Sequence, residues 1–107
     1  MEALDALVAY CDEAAELTAR GRKAYESDVL LRRASEAIFH HVGDTIRNSL
    51  PPRLLEEHPG QPWSLIVGMR VRMAHIYAEN DTSIMWNTLV EHVPRLREYI
   101  AHGILRG

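Results

Sequence analysis

Arg70, His75 and Tyr77 combine residue types and a spacing that could do chemistry, in the stretch Gly68-Met69-Arg70-Val71-Arg72-Met73-Ala74-His75-Ile76-Tyr77. An arginine presents a planar fork of donors that fits a phosphate, in the ground state or in a pentacoordinate transition state. A histidine titrates near neutrality and can take or give a proton. The two together are a sufficient minimal kit for cleaving RNA without a metal. The imidazole activates the 2′-hydroxyl or protonates the leaving oxygen, and the guanidinium stabilises charge on the phosphoryl group.

The element that must position them reads as a helix from about Trp63 to Tyr77, apolar around most of its circumference. Ile66, Val67, Met69, Met73, Ala74, Ile76 and Tyr77 cover a broad arc, and Ser64, Gly68, Arg72 and His75 form a narrow polar strip. Arg70 falls inside the apolar arc. An unpaired buried charge is too costly to keep, so Arg70 either meets a polar partner on a neighbouring helix, such as Asp44, or opens onto a cleft. A step of five residues sets Arg70 and His75 about 140° apart round a regular helix, whereas Arg70 and Tyr77 nearly share a face. The pair converges only if the helix ends or distorts near His75, or if a second subunit completes the cleft.

Helical spacing recurs along the rest of the chain, and strand alternation does not. Leu4, Leu7, Val8, Cys11, Ala14 or Ala15 and Leu17 predict a helix over about 3–19, with Gly21 as its stop. Ser27 or Asp28 caps a second, long helix with apolar positions at Leu31, Ala34, Ile38, Val42, Thr45 or Ile46 and Leu50, ended by Pro51-Pro52. Arg53 to Glu57 forms at most a short helical turn, and His58 to Pro62 reads as loop. Asn80 and Asp81 break the motif helix and cap a last one from about Thr82. That helix carries Ile84 or Met85, Leu89, Val93, Leu96, Ile100 and Ile104 on one face. Pro94 lies within it and predicts a kink or break near Glu91. The expectation is an all-α antiparallel bundle of four main helices plus a short one, forming a single domain over 1–107.

The remaining reactive groups point elsewhere than to chemistry. Of six histidines, His40 and His41 are adjacent and cannot chelate from one helix face. His41 and Asp44 share a face, but no further ligand pattern accompanies them, so no metal is expected. His58, His92 and His102 read as solvated, as do the charged runs Arg32-Arg33, Glu56-Glu57 and Arg95 to Glu98. No glycine-rich phosphate loop and no nucleophile triad is present. The lone cysteine, Cys11, excludes a disulfide framework and reads as a small core residue. No signal peptide or membrane span is apparent, which makes a cytoplasmic protein the default. A net charge of −3 means that any nucleic-acid binding must use a local basic patch.

Several of these segments resemble the HepT family of the HEPN superfamily. They are Ile66-Val67-Gly68-Met69-Arg70, Ala74-His75-x-Tyr77, Ile84-x-Trp86 and Val93-Pro94-x-Leu96, with Leu31-Arg32-Arg33, Val42-Gly43-Asp44 and Pro62-Trp63 upstream. The family hallmark, Arg-x4-His-x-Tyr, is matched by Arg70, His75 and Tyr77. The similarity covers roughly residues 27–100, and the first helix fits by pattern only. It implies a HEPN-like bundle that pairs as a homodimer through the motif region, with both motifs lining a shared cleft. It implies a metal-independent endoribonuclease without cofactor, the toxin of a two-gene toxin–antitoxin system. The antitoxin implied is a small MntA-type nucleotidyltransferase that adds AMP to the motif tyrosine. Carried over by position, Arg70 and His75 are catalytic and Tyr77 is modified, which sets phosphate and bulk where RNA phosphate must sit. One departure stands out. The family usually has a polar residue, most often asparagine, after the motif arginine, and here it is Val71. The alternative is therefore a non-catalytic helical dimer acting as the binding or substrate subunit of a nucleotidyltransferase.

Overall fold

The computed structural model describes residues 2–78 and 82–106, and for 69, 70 and 73–78 the backbone alone. Helices α1 (Glu2–Thr18), α2 (Arg22–Ser27), α3 (Val29–Ser49), α4 (Pro52–Glu57) and α5 (Trp63–Ala78) are followed by a C-terminal helical span. That span comprises α6 (Thr82–Asn87), a π-helical turn (Thr88–His92), α7 (Val93–Glu98) and a second π-helical turn (Tyr99–Ile104). There is no strand among the described residues, as the all-α expectation requires.

The buried residues of α1 recur every three or four positions, at Leu4, Leu7, Cys11, Ala14 and Leu17. Glu2 and Asp5 occupy its first turn, where negative charge suits the helix dipole. Beyond it, Gly21 takes φ 95°, a left-handed conformation open to glycine at little cost. The next six residues form α2, which no apolar periodicity announces. Its one buried residue is Tyr25, whose hydroxyl lies 2.8 Å from the Ser35 hydroxyl. Arg32 reaches back to donate to the carbonyls of Tyr25, at 3.2 Å, and Glu26, at 2.6 Å. These are among the carbonyls that the end of a helix leaves without partners. The Arg32-Arg33 pair is therefore only half a solvated face: Arg33 is exposed, and Arg32 is half-buried at its task.

Asp28 caps α3 by accepting the Leu30 N–H at 2.9 Å, the role expected of an aspartate there. The inward stripe of α3 is Ser35, Ile38, Phe39, Val42, Gly43 and Ile46. Ser35 takes the place expected of Ala34, which is exposed. The reason is polar: the Ser35 hydroxyl donates to the Arg32 carbonyl at 2.7 Å and meets Tyr25. A buried hydroxyl so partnered carries no desolvation penalty.

The interruption expected at Pro94 is a widened turn. Proline has no N–H to return to the carbonyl four residues back. The helix accommodates this by opening to five-residue steps, with the Val93 N–H on the Thr88 carbonyl. The Leu105 N–H on the Ile100 carbonyl, at 2.9 Å, repeats that step at the second π turn. Through both turns the span keeps Met85, Leu89, Val93, Leu96 and Ile100 buried. α3 packs against both α1 and α5, and the C-terminal span lies along α1. Arg97 Nε on Asp12 Oδ1, at 2.7 Å, ties α7 to α1.

Candidate functional site

The start of α5 is fixed by a clasp of aromatic and glycine residues. Trp63 is buried, and its indole N–H donates to the His58 carbonyl at 2.7 Å. Its ring meets Tyr99 edge-to-face, with centroids 6.1 Å apart and planes at 68°. The Tyr99 hydroxyl accepts the Gly60 N–H at 3.1 Å. A Cβ on Gly60 would fall onto the Tyr99 ring, so only glycine lets the loop lie this close. The loop before α5 is thereby held to the second π turn. Nothing in the spacing marks Tyr99 for this role, because its partners lie about forty residues away in sequence.

A second glycine sets the depth of α5 in the bundle. A Cβ on Gly43 would stand 3.3 Å from the Val67 carbonyl oxygen, tighter than a side chain normally comes to backbone. Gly43 is thus what lets α3 and α5 approach one turn before Arg70. Backbone-to-backbone packing of this kind fixes axial position more firmly than side-chain contact, which can yield by rotamer change.

Arg70, His75 and Tyr77 all lie on α5, and their side chains fall outside the described residues. So does the pairing of Arg70 with Asp44; Asp44 itself is half-buried and accepts from Asn48 at 2.8 Å. Asn80 and Asp81, expected as helix breaker and cap, also lie outside the described residues. The α-helix runs unbroken from Trp63 through Ala78, past His75. Positions 70 and 75 therefore keep the offset of about 140° round the axis that a regular helix imposes. Of the two routes to convergence, a distortion of the helix at His75 is removed.

The described side chains of α5 divide sharply. Ile66 and Val67 pack against the core, while Leu65 and Val71 are 59% and 66% exposed. Val71 stands in solvent in the single chain. Arg72 folds back along the helix. Its Nη2 donates to the Leu65 carbonyl at 2.8 Å, and its Nη1 passes 3.7 Å from where a Gly68 Cβ would stand.

The alternative chemistries find other arrangements. Tyr10 stacks on His41, with centroids 5.3 Å apart and planes at 18°, and Asp44 is turned to Asn48. Among the described residues no three His, Cys, Asp or Glu side chains gather as metal ligands. Cys11 is buried, and its thiol is pushed up to about 12 by that burial first and by Asp12 second, so it is a weak nucleophile near neutrality. His102 is exposed and pairs with Glu98 at 3.2 Å. Among the described residues no helix is long and apolar enough to cross a membrane.

Comparison with known proteins bears directly on the motif helix. The family described as Ribonuclease HepT-like matches residues 7–102. The chain belongs to the HepT-like ribonuclease family. The match takes in α1 from Leu7 onward, which the sequence resemblance reached by pattern alone. A protein of Caldanaerobacter subterraneus subsp. tengcongensis, named as a candidate RNase, is 30% identical over 76 residues, covering 71% of this chain and 67% of its own. A Thermococcus cleftensis protein named as a probable ribonuclease HepT is 30% identical over 56 residues, covering 52% of this chain and 50% of its own. No solved structure gives a significant match. HepT-like membership supports RNA cleavage as the activity of this helix bundle.

Proposed function

We propose that this chain is a metal-independent endoribonuclease toxin whose reaction is carried by Arg70 and His75 at the cleft of a homodimer. The observation that carries the reading is the family match over residues 7–102, with Arg-x4-His-x-Tyr intact on one continuous helix. In this reading His75 takes the proton of a ribose 2′-hydroxyl, and that oxygen attacks the adjacent phosphorus. The 5′-oxygen leaves and takes up a proton, giving a 2′,3′-cyclic phosphate and a 5′-hydroxyl. Arg70 stabilises the charge that builds on the phosphoryl oxygens. Because α5 stays regular past His75, the reading places Arg70 of one subunit opposite the partner's His75. The exposed Val71 then belongs to the surface the partner covers.

Control follows from Tyr77, which stands seven residues after Arg70 and so nearly on its face of the helix. An MntA-type nucleotidyltransferase antitoxin transfers AMP from ATP to its hydroxyl, which loses its proton as pyrophosphate leaves, and the added phosphate excludes RNA phosphate by charge and bulk. The experiment is cleavage of RNA by the purified protein in excess chelator. Wild type cleaves, and Arg70→Ala and His75→Ala each lose about a hundredfold or more in rate. Full activity in both variants removes the assignment.

Val71 favours one second reading. Where a polar neighbour would orient the motif arginine, a valine cannot hydrogen-bond, and its exposure suits an interface. The chain is then a non-catalytic dimer that docks and presents Tyr77 to a nucleotidyltransferase. That reading predicts a stable complex and AMP on Tyr77 by mass analysis, with no RNA cleavage and no growth arrest.

A further inference from the structure

The N-terminal half of α5 and the first π turn enclose a groove of about 430 Å³. It is lined by Arg72, His92 and Arg95, and its apolar wall is Pro62, Leu65 and Ile66. They come from three separate segments, and no carboxylate is among the residues that line it. The groove of about 370 Å³ between α1 and α3 is its opposite, lined by Glu13 and Glu16 beside Arg20 and His41. In a chain of net charge −3, the first groove is a local exception of the kind that nucleic-acid binding requires.

We propose that this groove is a phosphate-binding subsite that holds the backbone of single-stranded RNA beside the motif, resting on the ribonuclease reading above. Arg72 is the link between the two. It lies on α5 three residues from His75, about 60° round the axis and one turn away, and about 200° round from Arg70. Its side chain is laid back over Gly68 into the groove. Nη2 donates to the Leu65 carbonyl, which fixes that pose, and among the described residues the other guanidinium N–H groups are left for an anion. Gly68 supplies the bare shelf over which the side chain passes. Arg95 sits one turn beyond the π turn and makes a long, exposed contact of 3.7 Å with Glu91, which a phosphate can outcompete. His92 stands at the end of the π turn, and without that widened turn the register of residues 88 to 95 on the groove would rotate. The apolar wall offers a ribose or base a dry surface, so the groove suits a strand whose bases are unstacked.

The test uses the full chain, an uncleavable 2′-O-methyl single-stranded oligonucleotide and fluorescence anisotropy over a salt series. Arg72→Ala/Arg95→Ala is compared with Lys23→Ala/Arg33→Ala, which removes equal charge from exposed positions away from the groove. The groove variant loses about tenfold or more in affinity and about one unit or more of the salt slope, while the control changes less than about twofold. Arg72→Lys/Arg95→Lys recovers most of the salt slope, which a merely structural defect does not. Equal losses in the groove and control variants, or no binding by wild type, overturn the subsite. Cleavage is read separately: a raised KM with kcat within about twofold supports the subsite. Cleavage that is intact with unchanged KM overturns it while the ribonuclease reading stands. Absence of cleavage in wild type counts against the ribonuclease reading, and the anisotropy result still decides the groove.

Discussion

α3 and α5 pack on each other yet are written in different ways. α3 carries one inward stripe, Ser35 to Ile46 in three- and four-residue steps, and its exposed large apolar side chains are confined to Val29 and Leu30 in the first turn. α5 is apolar round most of its circumference, and the single chain covers only part of it, leaving Leu65 and Val71 in solvent. A helix whose whole burial is satisfied within its own bundle needs only an amphipathic stripe. A helix that is apolar on two sides has a second surface still to cover, and in this molecule that helix carries the motif. In the proposed reading α3 is the frame and α5 the working part, with Gly43 and the Trp63–Tyr99 clasp as the joints between them.

The difference predicts separable mutational effects. The largest on stability belongs to the frame. Phe39, 1% exposed, loses its whole ring on Phe39→Ala, and urea unfolding should report a loss of about 3–5 kcal/mol. Gly43→Ala strikes the joint. Its new Cβ must push the Val67 carbonyl away by a few tenths of an ångström, while alanine gains up to about 1 kcal/mol in helix propensity over glycine. Net stability should thus change by about 1 kcal/mol or less, while RNA cleavage falls several-fold more than that loss accounts for. An unchanged rate would mean that the depth of α5 does not set the site. Val71→Asn touches only the working part. Stability of the isolated chain should stay within about 0.5 kcal/mol, and cleavage should rise as the polar neighbour is restored.

A fourth prediction concerns pH. The Cys11 thiol is pushed up to about 12 in the folded chain against an ordinary 9.0. The folded state therefore holds its proton where the unfolded state releases it. The contribution of Cys11 to stability is complete below about pH 9 and declines as pH rises toward about 12. Cys11→Ala should flatten that part of the stability profile, and thiol alkylation at pH 8–9 should be slow until denaturant is added.

What was legible in the sequence follows the same division. α1, α3 and the C-terminal span announce themselves because their apolar residues recur at helical steps. α2 does not, since Tyr25 is its one buried residue and six residues carry no period. Pro94 marks an interruption, but whether a helix answers a missing N–H by breaking or by widening depends on what its other face must keep buried. Arg32, Arg72 and Tyr99 are long side chains whose partners lie six or more residues away, so spacing within their own helices says nothing of where they reach. The motif was legible because its residues sit within one helix. The basic groove was not, because Arg72, His92 and Arg95 are brought together only by the packing of α5 on the C-terminal span.

The central claim is that Arg70 and His75 act on RNA from opposite sides of a shared cleft, because a regular α5 holds their positions about 140° apart. The most direct measurement mixes the two inactive variants. Arg70→Ala and His75→Ala are co-refolded, and RNA cleavage in chelator is compared with each variant alone and with wild type. A two-fold dimer built in this way regains one intact site per mixed pair, so the mixture should recover up to about a quarter of wild-type activity. A mixture as inactive as its parts, beside a wild type that cleaves, would contradict the account.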